Sequence, residues 1–230
     1  MASPYDTYTS PLATRNASHA MLRLWSARHK FNSWRRIWLA VAEAQHEMGL
    51  PVTGEQVEAL REVVTRPGGI TDEELKAAER HEREVRHDVM AHVHALGDSC
   101  PAARGIIHLG MTSQDVVCNA DLLTIFRAMH LIDLKAVRVI DRLAHFAEKH
   151  KALPTLGFTH YQPAQPLTVG RRAASWAWDL SIAAGFSSVF HEYLRMKGLR
   201  GATGTQASYL ELFAGDAPKV DELERRGMQK

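Results

Sequence analysis

The amino-acid sequence predicts an all-α protein, and three observations support this prediction. Apolar residues recur at spacings of three and four along almost the whole chain, and no segment clearly alternates apolar and polar residues as a strand does. Two Ser/Thr-x-x-Glu/Gln boxes, a pattern that caps helix N-termini, precede segments of this kind. Residues 113–151 contain neither proline nor glycine. We therefore expect one helix there of roughly 57 Å, at 1.5 Å per residue.

The first half of the chain predicts a domain of shorter helices. Apolar residues at helical spacing indicate one amphipathic helix before a stop signal at residues 49–51: Trp34, Ile37, Trp38, Val41 and Met48. Capping boxes at Thr53 and Thr71 predict two further helices. The second of these carries an apolar stripe to Leu96 and is expected to end at Gly97. A connection with proline and glycine follows, so we expect an N-terminal helical domain at residues 1–111 and a second domain at residues 112–230.

The second half predicts the first long helices of a central helical bundle. The long helix is followed by a loop and by a second apolar-periodic segment from about residue 167 to 197. Asp216 as an N-cap and Pro218 in the first turn predict the start of a further helix. Two long helices leave apolar stripes uncovered. We therefore expect the chain to be the N-terminal part of a longer protein whose remaining part completes the bundle.

Composition and charge exclude two classes of partner. The 28 basic and 26 acidic side chains give a net charge of +2, too small to indicate a nucleic-acid binder. The chain has no long uncharged apolar run, so no membrane span is expected. Two cysteines, Cys100 and Cys118, cannot form a disulfide framework, and the first residues lack an apolar signal core. The expected location is therefore the cytoplasm.

Two segments next to the long helices carry groups that could bind an anion or transfer a proton. Residues 156–166 place Thr159 and His160 between a glycine and two prolines, which restrict the backbone. His160 is either an exposed loop histidine or an acid–base group, and the residues alone leave both open. Thr112 and Asp115 form a plain helix cap, or the hydroxyl and N–H groups at this helix N-terminus, including those of Thr112 and Ser113, form an anion site.

Two further segments concentrate polar groups. Arg86, His87 and Asp88 lie within the helix expected at residues 71–97. The neighbouring histidines are badly spaced for a metal, because His87 and His94 would lie about 10 Å apart along a helix axis. The glycine-rich segment 198–208 is neither a Walker loop nor a Rossmann turn. It is either a helix C-cap with a turn or a loop whose backbone and Gln206 approach a ligand.

Taken in order, these segments resemble the signatures of the fumarase/aspartase superfamily. TSQD at residues 112–115 is similar to its first signature, and GFTHYQPAQP at residues 157–166 to its second. SPLATR at residues 10–15, RHDVMAHVH at 86–94 and RGATGTQAS at 200–208 are most similar to the adenylosuccinate lyase family within it. The resemblance covers essentially the whole chain.

The resemblance implies β-elimination of fumarate from adenylosuccinate, which gives AMP, and from the succinylated aminoimidazole carboxamide ribotide (SAICAR), which gives AICAR. It implies general acid–base catalysis without a metal or organic cofactor, in a homotetramer with shared active sites. His160 is implied as the acid, and His87 as a substrate-contacting histidine that balances charge. The implied substrate-binding residues are Arg15 and Asn16 at the phosphate, Arg86 and Asp88 beside His87, Thr112 and Ser113 at the succinyl carboxylate, Thr159 beside His160, and Gln206 in the glycine-rich loop.

The sequence departs from the family pattern at two places. The family commonly has tyrosine where this chain has Asn16, which leaves that phosphate contact open. The third signature, a Gly-Ser-Ser loop followed by Met-Pro-x-Lys-x-Asn, has no match here. It carries the serine implied as the base, so we expect the chain alone to be inactive. The alternatives are a sister lyase that forms fumarate from another substrate and a non-catalytic helical oligomerisation module.

Overall fold

The computed structural model describes residues 3, 6, 8, 10 and 12–229. Pro11, in the segment SPLATR, and the C-terminal Lys230 lie outside the described residues. The elements follow in this order: α1 Ala13–Asn16, α2 His19–Leu24, α3 Ala27–Glu47, α4 Gly54–Thr65, α5 Asp72–Val85, α6 Asp88–Ser99, a 3-10 turn at Pro101–Ala103, α7 Ser113–Lys149, β1 Pro154–Thr159, β2 Gln162–Thr168, α8 Val169–Tyr193, α9 Ala207–Leu212 and α10 Ala217–Gln229. The predicted all-α class is confirmed, with one small hairpin in addition.

The chain forms two compact units. Unit one comprises the described residues up to Thr124 together with those from Met196 onward, and unit two comprises residues 125–195. Helix α7 begins in unit one and ends in unit two. These units are groups of residues with dense internal contacts, and such a grouping does not test a domain boundary. The boundary predicted between residues 111 and 112 stays a prediction.

Helix α3 supplies the centre of the core of unit one. Its predicted apolar face is confirmed, since Trp34, Trp38 and Val41 are fully buried. The side chain of Ser26 caps its N-terminus by accepting a hydrogen bond from the backbone N–H of His29. Helices α4 and α10 pack against it, and buried residues of α6, α7 and α9 complete the same apolar cluster. The spacing of three and four thus places one side of α3 in the apolar cluster of unit one.

The single helix expected from Thr71 to Gly97 is wrong, because the structure has two helices there. Helix α5 ends at Val85, Arg86 adopts a left-handed backbone conformation with φ of 55°, and His87 is extended and caps α6. Helix α6 folds back on α5, and Nε2 of His81 lies 2.7 Å from Oδ2 of Asp98. Both helices have apolar stripes, so periodicity alone does not reveal one left-handed residue between them. Neither glycine nor proline marks the break.

The long helix and the final helix are confirmed. The predicted span 113–151 corresponds to α7, and the predicted segment 167–197 contains α8. Helix α10 begins after Asp216, whose carboxylate accepts a hydrogen bond from the backbone N–H of Lys219 at 3.2 Å. No helix within the described residues is long and apolar enough to span a membrane.

Unit two contains a β-hairpin where the sequence indicated an irregular loop. Strands β1 and β2 pair antiparallel, from Pro154 opposite Thr168 to Thr159 opposite Gln162. His160 and Tyr161 form the two-residue turn with φ of 49° and 61°, and positive φ at both positions is the signature of a type I′ turn. Such turns usually use Asn-Gly, so His-Tyr gave no hairpin signal.

Candidate functional site

The break between α5 and α6 brings His87 to the start of α7. Nδ1 of His87 accepts a hydrogen bond from the backbone N–H of Met90 at 3.4 Å, and Nε2 lies 3.1 Å from Oγ of Ser113. Because Nδ1 accepts, the neutral ring holds its proton on Nε2 and donates it to the hydroxyl. Two residues that the sequence separates by 26 positions thus form one polar pair, with the imidazole half-exposed.

Arg86 and Asp88 flank this pair. Both are exposed, and the carboxylate of Asp88 accepts a hydrogen bond from the backbone N–H of Val89 at 2.8 Å, in the first turn of α6. Arg86 is a non-glycine residue at positive φ, a conformation that costs about 1–3 kcal/mol and clusters at functional sites. The strained residue therefore lies directly before the histidine of this pair.

Asp115 organises the N-terminus of α7. Its carboxylate is fully buried and accepts a hydrogen bond from the backbone N–H of Thr112 at 3.1 Å. Of the expected cap, the bond to the Asp115 carboxylate is present, whereas the backbone N–H of Asp115 donates to the backbone oxygen of Thr112 and not to its hydroxyl. The first backbone N–H groups of a helix have no partner within the helix. Thr112 and Ser113 accordingly stand where a helix N-terminus can hold an anion.

The same carboxylate also holds the glycine-rich segment. Oδ1 accepts hydrogen bonds from the backbone N–H groups of Arg200 at 3.0 Å and Gly201 at 3.2 Å, and from Nζ of Lys197 at 3.2 Å. Oδ2 accepts one from the hydroxyl of Tyr209 at 3.1 Å. Burial and the Asp115 charge raise the pKa of Tyr209 above its usual value, so this phenol stays a donor.

Gln206 lies at the start of α9 in a left-handed conformation with φ of 57°. Its side-chain amide donates hydrogen bonds to the backbone oxygen of Leu199 at 2.8 Å and to Oε2 of Glu224 at 3.1 Å. Oε1 of Glu224 also pairs with the guanidinium of Arg200 at 3.0 Å. The amide NH₂ of Gln206 is thus committed to holding the loop, and its side-chain carbonyl oxygen accepts no hydrogen bond from the described residues.

The remaining predicted site residues lie in helix α1 and in the β-hairpin. Arg15 and Asn16 lie in the short helix α1, and both are exposed. Among the described residues, no hydrogen bond or ion pair joins their side chains to His87 or Ser113. Thr159 and His160 belong to unit two, where they end β1 and begin the turn with exposed side chains.

Three residues at this site were not predicted as site residues: Asp115, Lys197 and Tyr209. The sequence indicated Asp115 only as a cap partner. No sequence pattern predicted its contact with Lys197, which lies 82 residues further along the chain. Tyr209 follows the polar part of the glycine-rich segment and carries no motif of its own. In the part of the chain that the structure describes, no three His, Cys, Asp or Glu side chains are grouped as a metal ion requires. The cofactor-free chemistry implied by the resemblance stays a prediction.

Comparison with known proteins identifies related lyases. A family model described as a lyase matches residues 12–209. Adenylosuccinate lyases from Saccharomyces cerevisiae and Schizosaccharomyces pombe are 48% and 45% identical to this chain over 227 and 226 residues. Each alignment covers 96% of this chain and 45% of the relative. The chain thus spans less than half the length of these curated relatives.

Solved structures show the same fold. A fumarate lyase from Mesorhizobium sp. BNC1 has a TM-score of 0.78 and 25% identity, covering 90% of this chain and 47% of that one. The 3-carboxy-cis,cis-muconate lactonizing enzyme from Pseudomonas putida has a TM-score of 0.81 and 24% identity, covering 95% and 49%. The match of the family model over most of the chain, together with the fumarate lyase structure, shows that the chain belongs to the lyase family of the fumarase/aspartase superfamily.

Proposed function

We propose that this chain forms the N-terminal part of an adenylosuccinate lyase of purine nucleotide biosynthesis. The proposed reaction eliminates fumarate from adenylosuccinate to give AMP and from SAICAR to give AICAR. The observation that carries the proposal is the pairing of His87 with Ser113 at the N-terminus of α7. Curated relatives with 45–48% identity bear the name of this enzyme.

Substrate binding begins at α7. Thr112 and Ser113 offer their hydroxyl groups to a succinyl carboxylate, which the positive end of the helix dipole favours. His87 lies beside the same anion through its contact with Ser113, and Arg86 and Asp88 flank it. The carbonyl oxygen of Gln206 faces the substrate from the glycine-rich loop.

The elimination needs a proton removed and a proton delivered. A base takes the proton beside the succinyl carboxylate, and the electron pair that remains forms the carbon–carbon double bond of fumarate as the carbon–nitrogen bond breaks. His160 gives its proton to the departing nitrogen, with Thr159 beside it. The hairpin turn supports this role because it presents the imidazole exposed and on a restrained backbone. The base is assigned to the third signature of the family, which has no match in this chain.

Phosphate binding is assigned to Arg15, whose exposed guanidinium can form a bidentate pair with phosphate oxygens. Asn16 supplies an amide in place of the tyrosine of the family. When this chain replaces the matching segment of a full-length adenylosuccinate lyase, Arg15→Gln should raise KM for adenylosuccinate with little change in kcat, since the interaction acts on substrate and transition state alike.

The proposed assembly is a cytoplasmic homotetramer with active sites shared between subunits. Large apolar side chains of unit two support it, because many of them are exposed: Phe126, Ile132, Val137, Phe146, Trp176, Trp178, Phe186, Val189 and Tyr193. Large exposed apolar patches mark interaction sites, and we assign these side chains to such a patch. The domain division at residues 111 and 112 belongs to the same proposal.

A chimera tests the activity without requiring turnover from this chain alone. This chain replaces the matching segment of the Saccharomyces cerevisiae adenylosuccinate lyase, and fumarate and AMP release are followed by absorbance. The expected result is turnover of adenylosuccinate and of SAICAR. A folded tetrameric chimera that cleaves neither compound contradicts the proposal.

A sister lyase is the second candidate, because a fumarate lyase shares the fold at 25% identity. The same chimera is assayed with argininosuccinate and aspartate. Fumarate release from one of these, and none from adenylosuccinate, would favour the sister lyase.

A further inference from the structure

Trp38 and His108 form a hydrogen bond that no part of the proposed reaction uses. Trp38 lies on α3 with 1% of its surface exposed, and its indole Nε1–H donates to Nδ1 of His108 at 3.0 Å. The two rings are nearly perpendicular, at an interplanar angle of 89°. Both residues belong to unit one.

The chemistry of the two rings fixes where the proton of the imidazole lies. An indole nitrogen can only donate a hydrogen bond, so Nδ1 of His108 must present its lone pair. The neutral imidazole then carries its proton on Nε2. Protonation of Nδ1 would set two N–H groups against each other and break the bond to Trp38.

The surroundings of His108 also favour the neutral ring. Burial lowers the pKa of His108 to about 4. The carboxylate of Asp115 opposes this shift, and the positive charge of protonated His87 adds to it. At neutral pH the imidazole is therefore uncharged, and it lies within electrostatic range of two groups of the candidate site.

The backbone around His108 is held from the same helix. His108 has a φ of 69°, in the left-handed region, and the next carbonyl, that of Leu109, accepts a hydrogen bond from the side chain of Gln45 at 2.9 Å. Trp38 and Gln45 are seven residues apart on α3 and so lie on one face of the helix. Helix α3 thus fixes both the ring and the segment that leads to Thr112.

Nε2 of His108 has no hydrogen-bond partner among the described residues, and it is not one of the buried unpaired atoms. The side chain of His108 is only partly buried, which leaves this N–H free to donate. We infer that Trp38 is a positioning residue: it fixes His108 as the Nε2–H tautomer, so that His108 offers an N–H donor to an oxygen of an anionic ligand and does not act as a base. The identity of that ligand rests on the proposed function, whereas the tautomer does not.

Nitrogen NMR of the ¹⁵N-labelled 230-residue chain tests the inference. Long-range proton–nitrogen spectra report which imidazole nitrogen carries the proton, and a scalar coupling across the N–H···N bond reports the contact with Trp38. His108→Gln assigns the signals. Trp38→Phe removes the donor, and Trp34→Phe is the matched control because Trp34 is an equally buried tryptophan on α3 whose Nε1 has no partner.

We expect Nδ1 of His108 to resonate as an unprotonated nitrogen and Nε2 as a protonated one, with a coupling at Trp38 and none at Trp34. In Trp38→Phe the two nitrogens should shift toward each other as tautomers mix, whereas Trp34→Phe should leave them unchanged. A proton on Nδ1 in the unsubstituted chain, or no coupling at Trp38, would overturn the inference even if Trp38→Phe does not fold. Unchanged signals in a folded Trp38→Phe would do so as well. None of these readouts requires turnover, so they stand apart from the test of the lyase reaction.

Discussion

Asp115 joins two segments that lie more than 80 residues apart in the sequence. One buried carboxylate holds the N-terminus of α7, the glycine-rich backbone at Arg200 and Gly201, and the ammonium of Lys197. Buried charges are costly unless they are paired and hydrogen-bonded. The carboxylate of Asp115 meets this requirement, because it pairs with Lys197 and accepts hydrogen bonds at both oxygens. The residue therefore determines how the glycine-rich loop is positioned against Thr112.

Asp115→Asn should destabilise the chain by about 2–4 kcal/mol, because an amide replaces a charged acceptor among donors and leaves Lys197 unpaired. Urea unfolding monitored by circular dichroism measures the change. Asp121→Asn, an exposed substitution on the same helix, is the control and should change the free energy of unfolding by less than about 0.5 kcal/mol. Equal stability of the two variants would contradict the role given to Asp115.

Buried histidines make stability depend on pH. Burial lowers the pKa of His92 to about 3 and that of His108 to about 4, below the unfolded value of 6.5. As pH falls below 6.5, the unfolded chain takes up protons that the folded chain does not. The free energy of unfolding should therefore decrease between pH 6.5 and 4, by up to about 1.4 kcal/mol per pH unit for each histidine.

His92→Gln removes one of these two groups and should flatten the pH dependence of the unfolding free energy by about half. His145→Gln, which replaces an exposed histidine of α7, should leave it unchanged. A flat profile for the unsubstituted chain between pH 6.5 and 4 would be inconsistent with the burial described here.

At the scale of elements, the sequence predicted the helices well and their interruptions poorly. Periodicity and caps located α3, α7, α8 and α10 because each is a long amphipathic segment with a clear start or stop. The break at Arg86 and the turn at His160 depend instead on one or two non-glycine residues at positive φ, which tertiary contacts impose and no local pattern shows. The candidate site shows the same division. Its motifs could be recognised in the sequence, whereas the contacts of Asp115 with Lys197 and Tyr209 could be seen only in the folded structure.

Arg86→Gly should stabilise the chain by up to about 1 kcal/mol, since glycine adopts the left-handed conformation without strain. In the chimera the same substitution should lower turnover, because it removes the proposed substrate-contacting side chain. The control is Arg83→Gly within α5, which should destabilise by about 1 kcal/mol. Thermal unfolding and fumarate release measure the two effects, and a loss of stability in Arg86→Gly would show that the conformation of this residue is not strained.

At the scale of the molecule, unit two carries exposed apolar side chains of the kind that two long helices alone were expected to leave uncovered. Trp178 and Phe186 on α8 are 68% and 73% exposed. Burial of such a side chain is worth about 1.5–3 kcal/mol. Self-association should therefore involve this surface.

Trp178→Glu combined with Phe186→Glu should shift the chain toward monomer in sedimentation velocity experiments, because a charge in an apolar interface must be desolvated. Arg171→Glu, an exposed substitution at the start of the same helix, is the control for added negative charge and should leave the distribution unchanged. An unaltered distribution in the double variant would exclude these two side chains from the interface.

The most direct test of the central claim is the rate of fumarate release from adenylosuccinate by the chimera with and without His160→Ala. Loss of a general acid should reduce kcat on the order of 10²–10⁴-fold. The exposed His145→Ala serves as the control and should retain full turnover. We predict turnover in the chimera, loss with His160→Ala and no loss with the control. Undiminished turnover by the His160→Ala chimera would contradict the assignment of His160 as the acid.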